Sequence, residues 1–164
     1  MITRTHIKDD APSTATYSDC ERYRYALTRT WDAQGKRVLF VMLNPSKATE
    51  VQNDPTVERC ERRARALGFG AFQVTNIFAW RDTDPFQMRK AADPVGPEND
   101  KVIRDGAAWG APWARPANGT PFAPDGKTSV RIGAQQIRAP QAPALYQLCA
   151  EAGPLGCGFG TVNG

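Results

Sequence analysis

The chain has 164 residues, enough for one domain with a sizeable core. Its 21 Lys and Arg against 17 Asp and Glu give a formal charge of +4, too little for the polybasic footprint of an electrostatic nucleic-acid binder. The opening MITRTHIKDD lacks the apolar segment of a signal peptide, and the longest apolar run has six residues, far short of a membrane span.

Residues 1–19 are polar, with Pro12 and several Ser and Thr, and predict a frayed, flexible terminus. From Arg22 onward Tyr23, Tyr25, Leu27 and Trp31 fall on alternate positions, with Arg24, Ala26, Thr28 and Thr30 between them, the period of a half-buried strand. The short turn 32–36 predicts an antiparallel hairpin with the next strand, Val38 to Leu43, whose unbroken apolar run predicts burial on both faces. A polar connection follows. Asp54-Pro55 then supplies an N-cap and a first helical residue, Val57, Cys60, Ala64 and Leu67 recur at helical spacing, and Gly68 closes the helix. The strand Ala71 to Phe78 completes a βαβ unit, parallel and right-handed by rule. Asp84-Pro85 predicts a short helix to about Ala92, and Pro97-Glu98-Asn99-Asp100 opens another with Val102, Ile103 and Ala107 as its stripe.

Residues 111–164 break this pattern. They hold seven Pro and eight Gly without a helical or strand period, and only Ala142 to Ala152 reads as a short helix. That composition predicts a disordered tail. The expected organisation is therefore a flexible 1–19, an α/β core over 20–110 and an atypical tail. The core is expected as a three-layer α/β/α sandwich with a mostly parallel sheet.

In open α/β sheets ligands bind outside the carboxyl ends of the strands, which places a candidate site around Asn44-Pro45-Ser46. An Asn amide and a Ser hydroxyl there can orient a water or a ligand; the same tripeptide also serves as a strand terminator. Asp54 and Thr56 read as helix caps or as loop support. Asn76 interrupts a strand and needs partners from a neighbouring loop or a ligand. Phe78 and Trp80 offer stacking surfaces, and Arg81, Asp82 and Asp84 share the rim as a solvated turn or as ligand contacts. Arg59, Arg62, Arg63 and Arg65 read as a phosphate contact or, given the glutamates between them, as a solvated helix face. His6 is the one histidine, no phosphate-loop or dinucleotide motif follows a strand, and no His/Cys cluster has zinc spacing, so neither a metal nor a cofactor is expected. Four scattered cysteines without a C-x-x-C pair suit reduced thiols in a cytoplasmic protein.

The segments YRYALTRTW, VMLNPSKATEVQNDPTVERC, VTNIFAWRDTDP and DPVGPEND resemble the family known as domain of unknown function 1643, found mainly in bacteria and phages. The resemblance covers roughly residues 22–109 and implies no established activity. Beyond it the family's C-terminal motifs are missing. The Ala/Pro/Gly/Arg mix that replaces them is what GC-rich DNA gives in a wrong frame, so 111–164 reads as a diverged or frameshifted tail. The layout is also similar to uracil-DNA glycosylases. That likeness implies a water-positioning role for Asn44 and base recognition by Asn76, while the late His-Pro loop of those enzymes is absent. Three functions follow as expectations: a nucleobase- or nucleotide-directed hydrolase, a non-catalytic module binding nucleotide, nucleic acid or protein, and an inactive truncated relative. In the first, Asn44, Ser46 and Asp54 are catalytic. Pro45, Thr56, Asn76, Phe78, Trp80, Arg81 and Asp84 then bind the ligand.

Overall fold

The computed structural model describes residues 1–110 and the backbone of two short strands, Ser129–Ile132 and Gln135–Arg138. Strands β1 (Ile2–Lys8), β2 (Ala11–Tyr17), β3 (Arg24–Thr30), β4 (Lys36–Met42) and β5 (Phe69–Asn76) form one sheet in the spatial order β1-β2-β3-β5-β4. Helices α1 (Pro55–Ala66), α2 (Pro85–Met88) and α3 (Asn99–Trp109) complete a mixed α/β fold.

The unit β4-α1-β5 forms as its sequence dictates, with β4 and β5 as parallel neighbours. Asp54 Oδ1 accepts the N–H groups of Thr56 and Val57 at 3.0 and 2.9 Å, Pro55 takes the first turn, and Gly68 follows the helix at φ +76°. Helices α2 and α3 begin at Pro85 and Asn99, close to where the proline and cap signals put them. α2 ends at Met88 rather than near Ala92, because the next residues, Arg89 and Lys90, offer no apolar face to bury.

Several sequence expectations are corrected by the long-range pairing. Residues 1–19 are no frayed end: β1 and β2 form an antiparallel hairpin, and Ala11, Ser13, Ala15 and Tyr17 point into the protein on alternate positions. Small side chains carry this alternation, so hydrophobic patterning barely registers it. The sheet is not mostly parallel, since β1-β2, β2-β3 and β3-β5 are antiparallel and β4-β5 is the parallel pair. The expected hairpin of β3 with β4 does not form, because β5 lies between them and pairs with both. β3 is buried on both faces, Arg24 and Arg29 included. β4, expected to be buried on both faces, is a half-buried edge strand among the described residues.

With β5 inserted, the connection from β3 to β4 must cross the start of β5. Trp31 and Asp32 both donate their backbone N–H to Gly70 O at 2.9 Å, and a Cβ on Gly70 would lie 2.3 Å from Asp32 O. The predicted tail over 111–164, its frameshifted origin and the helix over 142–152 lie outside the described residues. The exceptions are β6 (Ser129–Ile132) and β7 (Gln135–Arg138), which pair antiparallel with each other and not with the five-stranded sheet.

On one side of the sheet Leu27, Phe72 and Val74 pack beneath Val57, Cys60 and Ala64 of α1. Each of the larger side chains contributes about 1.5–3 kcal/mol by leaving water. On the other side Gly106 of α3 comes against Gln73, Thr75 and Leu39. A second, smaller cluster joins Ile77, Phe78 and Met88 under Val41 and Leu43, and so fixes the chain just past the end of β5.

Candidate functional site

The loop after β4, residues 44–54, has no regular structure of its own, yet it is held firmly over β2 and β3. Ala48 sits in the main core. The buried guanidinium of Arg29 donates to Thr49 O at 2.7 Å, to Asn53 Oδ1 at 3.0 Å and to Ser13 Oγ. Arg24, also buried, donates to Ala48 O, while Ser13 Oγ donates to Glu50 O at 2.6 Å and the Tyr17 hydroxyl to Glu50 Oε2 at 2.8 Å. Two buried cations thus hold backbone carbonyls, and a turn-like loop acquires a core of its own. Burial lowers the Arg24 pKa to about 10. It also raises Tyr17 to about 12, an effect reinforced by the hydrogen bond to Glu50.

This arrangement presents Ser46, Lys47 and Gln52 to an open cleft of about 630 Å³. The opposite wall comes from the segment after β5, Trp80 to Thr83. Because β3 runs antiparallel to β5, its leading residues Glu21 and Arg22 arrive at the same rim and close the third side. The walls are laced together. Asn44 Nδ2 donates to Asp82 O at 2.8 Å and Asp82 N–H to Pro45 O at 3.0 Å. Arg81 N–H donates to Arg22 O at 2.9 Å, and the Arg81 side chain to Glu21 O at 3.1 Å. The Trp80 indole is met edge-on by Tyr23, with ring centroids 5.4 Å apart at 82°. Tyr23 in turn needs Gly96, whose φ is +87° and whose position would put a Cβ 2.7 Å from the Tyr23 ring.

Of the residues singled out in the sequence, Ser46, Trp80, Arg81 and Asp82 line the cleft. Asn44 and the buried Pro45 stand behind it as lacing. Asp54 and Thr56 meet at the start of α1, where Asp54 Oδ2 also accepts Ala48 N–H at 3.4 Å. Asp84 caps α2 through Phe86 N–H at 2.8 Å. Phe78 is buried in the second cluster. Asn76 is buried too, and its Nδ2 has no hydrogen-bond partner among the described residues. The carbonyls of Asn76 and Ile77 are held instead by Asn99 Nδ2, at 2.8 and 2.9 Å. Sequence reasoning missed Glu21, Arg22, Lys47, Gln52 and Thr83, and missed Arg24 and Arg29 as the clasp of the loop. Arg22 could have been found from the antiparallel course of β3. Nothing local marks a buried arginine.

Cys20, next in sequence to Glu21, is exposed and lies 3.3 Å from Ser18 Oγ; that contact and the neighbouring Arg22 lower its thiol pKa. Cys60, packed under α1, is raised to about 11 by burial. A thiolate is the reactive form, so iodoacetamide at neutral pH should label Cys20 and spare Cys60 until the protein unfolds. Peptide mass spectrometry of the labelled chain checks this, and early labelling of Cys60 would contradict the packing described.

Among the described residues no group of His, Cys, Asp and Glu is placed to hold a metal ion, and no helix is long and apolar enough to cross a membrane. No curated protein and no solved structure matches the chain, so the likeness in layout to uracil-DNA glycosylases gains no relative to support it. A family model described as a protein of unknown function, DUF1643, matches residues 24–117, which contain β3 to α3, the loop clasp and most of the cleft. The chain belongs to the DUF1643 family.

Proposed function

We propose that the cleft binds a nucleotide or a related ligand bearing a nucleobase, and that the protein acts as a binding module in the cytoplasm. The observation that carries this reading is the Trp80 ring, half-buried and braced edge-on by Tyr23, beside two cations, Arg22 and Lys47, that have no ion-pair partner among the described residues. A braced ring suits stacking, and unpaired cations suit an anionic group. The reading takes the fold as three layers, with α1 over the Phe72 and Val74 side of the sheet and α3 over the Gln73 and Thr75 side. The free thiols of Cys20 and Cys60 fit a reducing compartment.

The hydrolase reading, with Asn44, Ser46 and Asp54 catalytic and Asn76 recognising the base, draws support from Ser46 in the cleft and Asn44 beside it. Against it stands the use already made of its key groups. Asp54 accepts three backbone N–H groups, and the Asn44 amide nitrogen is spent on Asp82 O. Titration calorimetry with a panel of nucleotides, nucleosides and short single-stranded oligonucleotides separates the readings. Binding without product, weakened roughly tenfold in Trp80→Ala by loss of stacking, is the expected result. Base release that disappears in Asn44→Ala would establish the hydrolase instead. Neither heat nor product with any member of the panel would overturn both and leave an inactive relative.

A further inference from the structure

The charges of the cleft do not balance, and their imbalance specifies the ligand further. Three cationic side chains line it, Arg22, Lys47 and Arg81, against two carboxylates, Glu21 and Asp82. Glu21 is already paired with Arg4 at 2.5 Å, and Asp82 Oδ1 accepts the N–H of Asp84 at 2.9 Å. The cations differ in freedom. Arg81 is fixed, with its guanidinium 5.0 Å over the Tyr17 ring and a donor on Glu21 O. Arg22 and Lys47 carry no ion pair among the described residues and can swing onto a ligand from two different sides of the cleft. Ser46, beside Lys47, and Thr83, on the wall of Arg81, add hydroxyl donors.

From this arrangement we infer that the cleft receives a terminal phosphate of a mononucleotide, with Arg22 and Lys47 as the ligand-seeking cations and Arg81 as the fixed one. The inference rests on the binding reading above and adds the anionic group to it. A nucleobase or nucleoside alone would stack on Trp80 and leave the cations uncompensated. A phosphate carries up to two charges and several acceptor oxygens, matching fixed and mobile donors together. A volume of about 630 Å³ is that of a small-molecule site. A polynucleotide would need a track of cations leading away from the cleft. The remaining exposed arginines of α1, Arg59, Arg62 and Arg63, are interleaved with Glu58 and Glu61 and make no such track.

The test compares, by calorimetry on the full chain, a nucleoside 5′-monophosphate with its nucleoside and with an oligonucleotide lacking terminal phosphates. It adds competition by inorganic phosphate and by acetate. The expected result is binding of the monophosphate at least about tenfold tighter than of the nucleoside, as two charge-assisted contacts provide. Raised salt should weaken it, and phosphate but not acetate should displace it. In the double variant Arg22→Ala, Lys47→Ala the monophosphate should fall to the nucleoside's affinity, while the thermal midpoint and the nucleoside's own affinity stay put. Equal affinity for nucleoside and monophosphate would overturn the phosphate assignment and leave the nucleobase reading standing. Tighter binding of the unphosphorylated oligonucleotide would replace the mononucleotide with a single strand. No binding by any of the three would remove the binding reading itself.

Discussion

Replacing Arg29 by Ala should destabilise the protein by on the order of 3 kcal/mol, from the cavity it leaves and from acceptors that lose their charged donor. Arg29 is fully buried, and its guanidinium donates to Ser13 Oγ, Thr49 O and Asn53 Oδ1. Deleting it takes the guanidinium donor from the part-buried Thr49 carbonyl and Asn53 Oδ1, leaves the Ser13 hydroxyl with Glu50 O alone, and opens a cavity beneath the loop. Arg29→Met separates these causes, because it keeps most of the volume and none of the donors. It should recover about half of the loss, the cavity part, and leave the cost of the missing hydrogen bonds. Urea unfolding with an unchanged slope measures both variants. Hydrogen exchange should show the amides of 48–53 opening well before those of β3. The consequence reaches function, since this loop brings Ser46, Lys47 and Gln52 to the cleft. A loss below about 1 kcal/mol in Arg29→Ala would mean that the loop is held by something other than its arginine clasp.

The clasp also shows where sequence reading ends. Arg24 and Arg29 lie on β3 among Thr and Ala, and an alternation of that kind predicts one polar, solvated face. Both side chains are buried instead, because the 44–54 loop folds back over them and supplies carbonyl acceptors. That partnership spans about twenty residues of sequence and leaves no local period. What was legible is local in the physical sense. Asp54, Pro55 and Gly68 set the two ends of α1 through their own backbone preferences, and the strand-end rule put Ser46, Trp80 and Arg81 on the rim. The third wall was legible only indirectly: Glu21 and Arg22 precede a strand, and its antiparallel course brings its start to the end of β5. The order of the sheet was hidden for a related reason. A short turn such as 32–36 favours a hairpin, and no local energy reports that a later strand will pair with both of its arms.

Gly70→Ala is the sharpest test of that strand order. The connection from β3 to β4 lies across the start of β5, and the added methyl would sit 2.3 Å from Asp32 O and 2.8 Å from Gly35 Cα. Both obstacles are backbone, so no side-chain rotation relieves them. The connection must lift away, taking with it the two N–H groups that Trp31 and Asp32 donate to Gly70 O. Overpacking of this kind costs roughly 1–3 kcal/mol, and losing the two hydrogen bonds adds about 1 kcal/mol each. A total near 3–5 kcal/mol is therefore expected in a urea titration. Gly68→Ala is the proper control. Its Cβ would meet nothing within 4 Å, yet its φ of +76° makes alanine costly by only about 1–2 kcal/mol. The two glycines lie two residues apart and differ in kind, one needed for conformation and the other for room. If Gly70→Ala cost no more than Gly68→Ala, β5 could not lie between β3 and β4, because only that order puts Gly70 beneath the crossing chain.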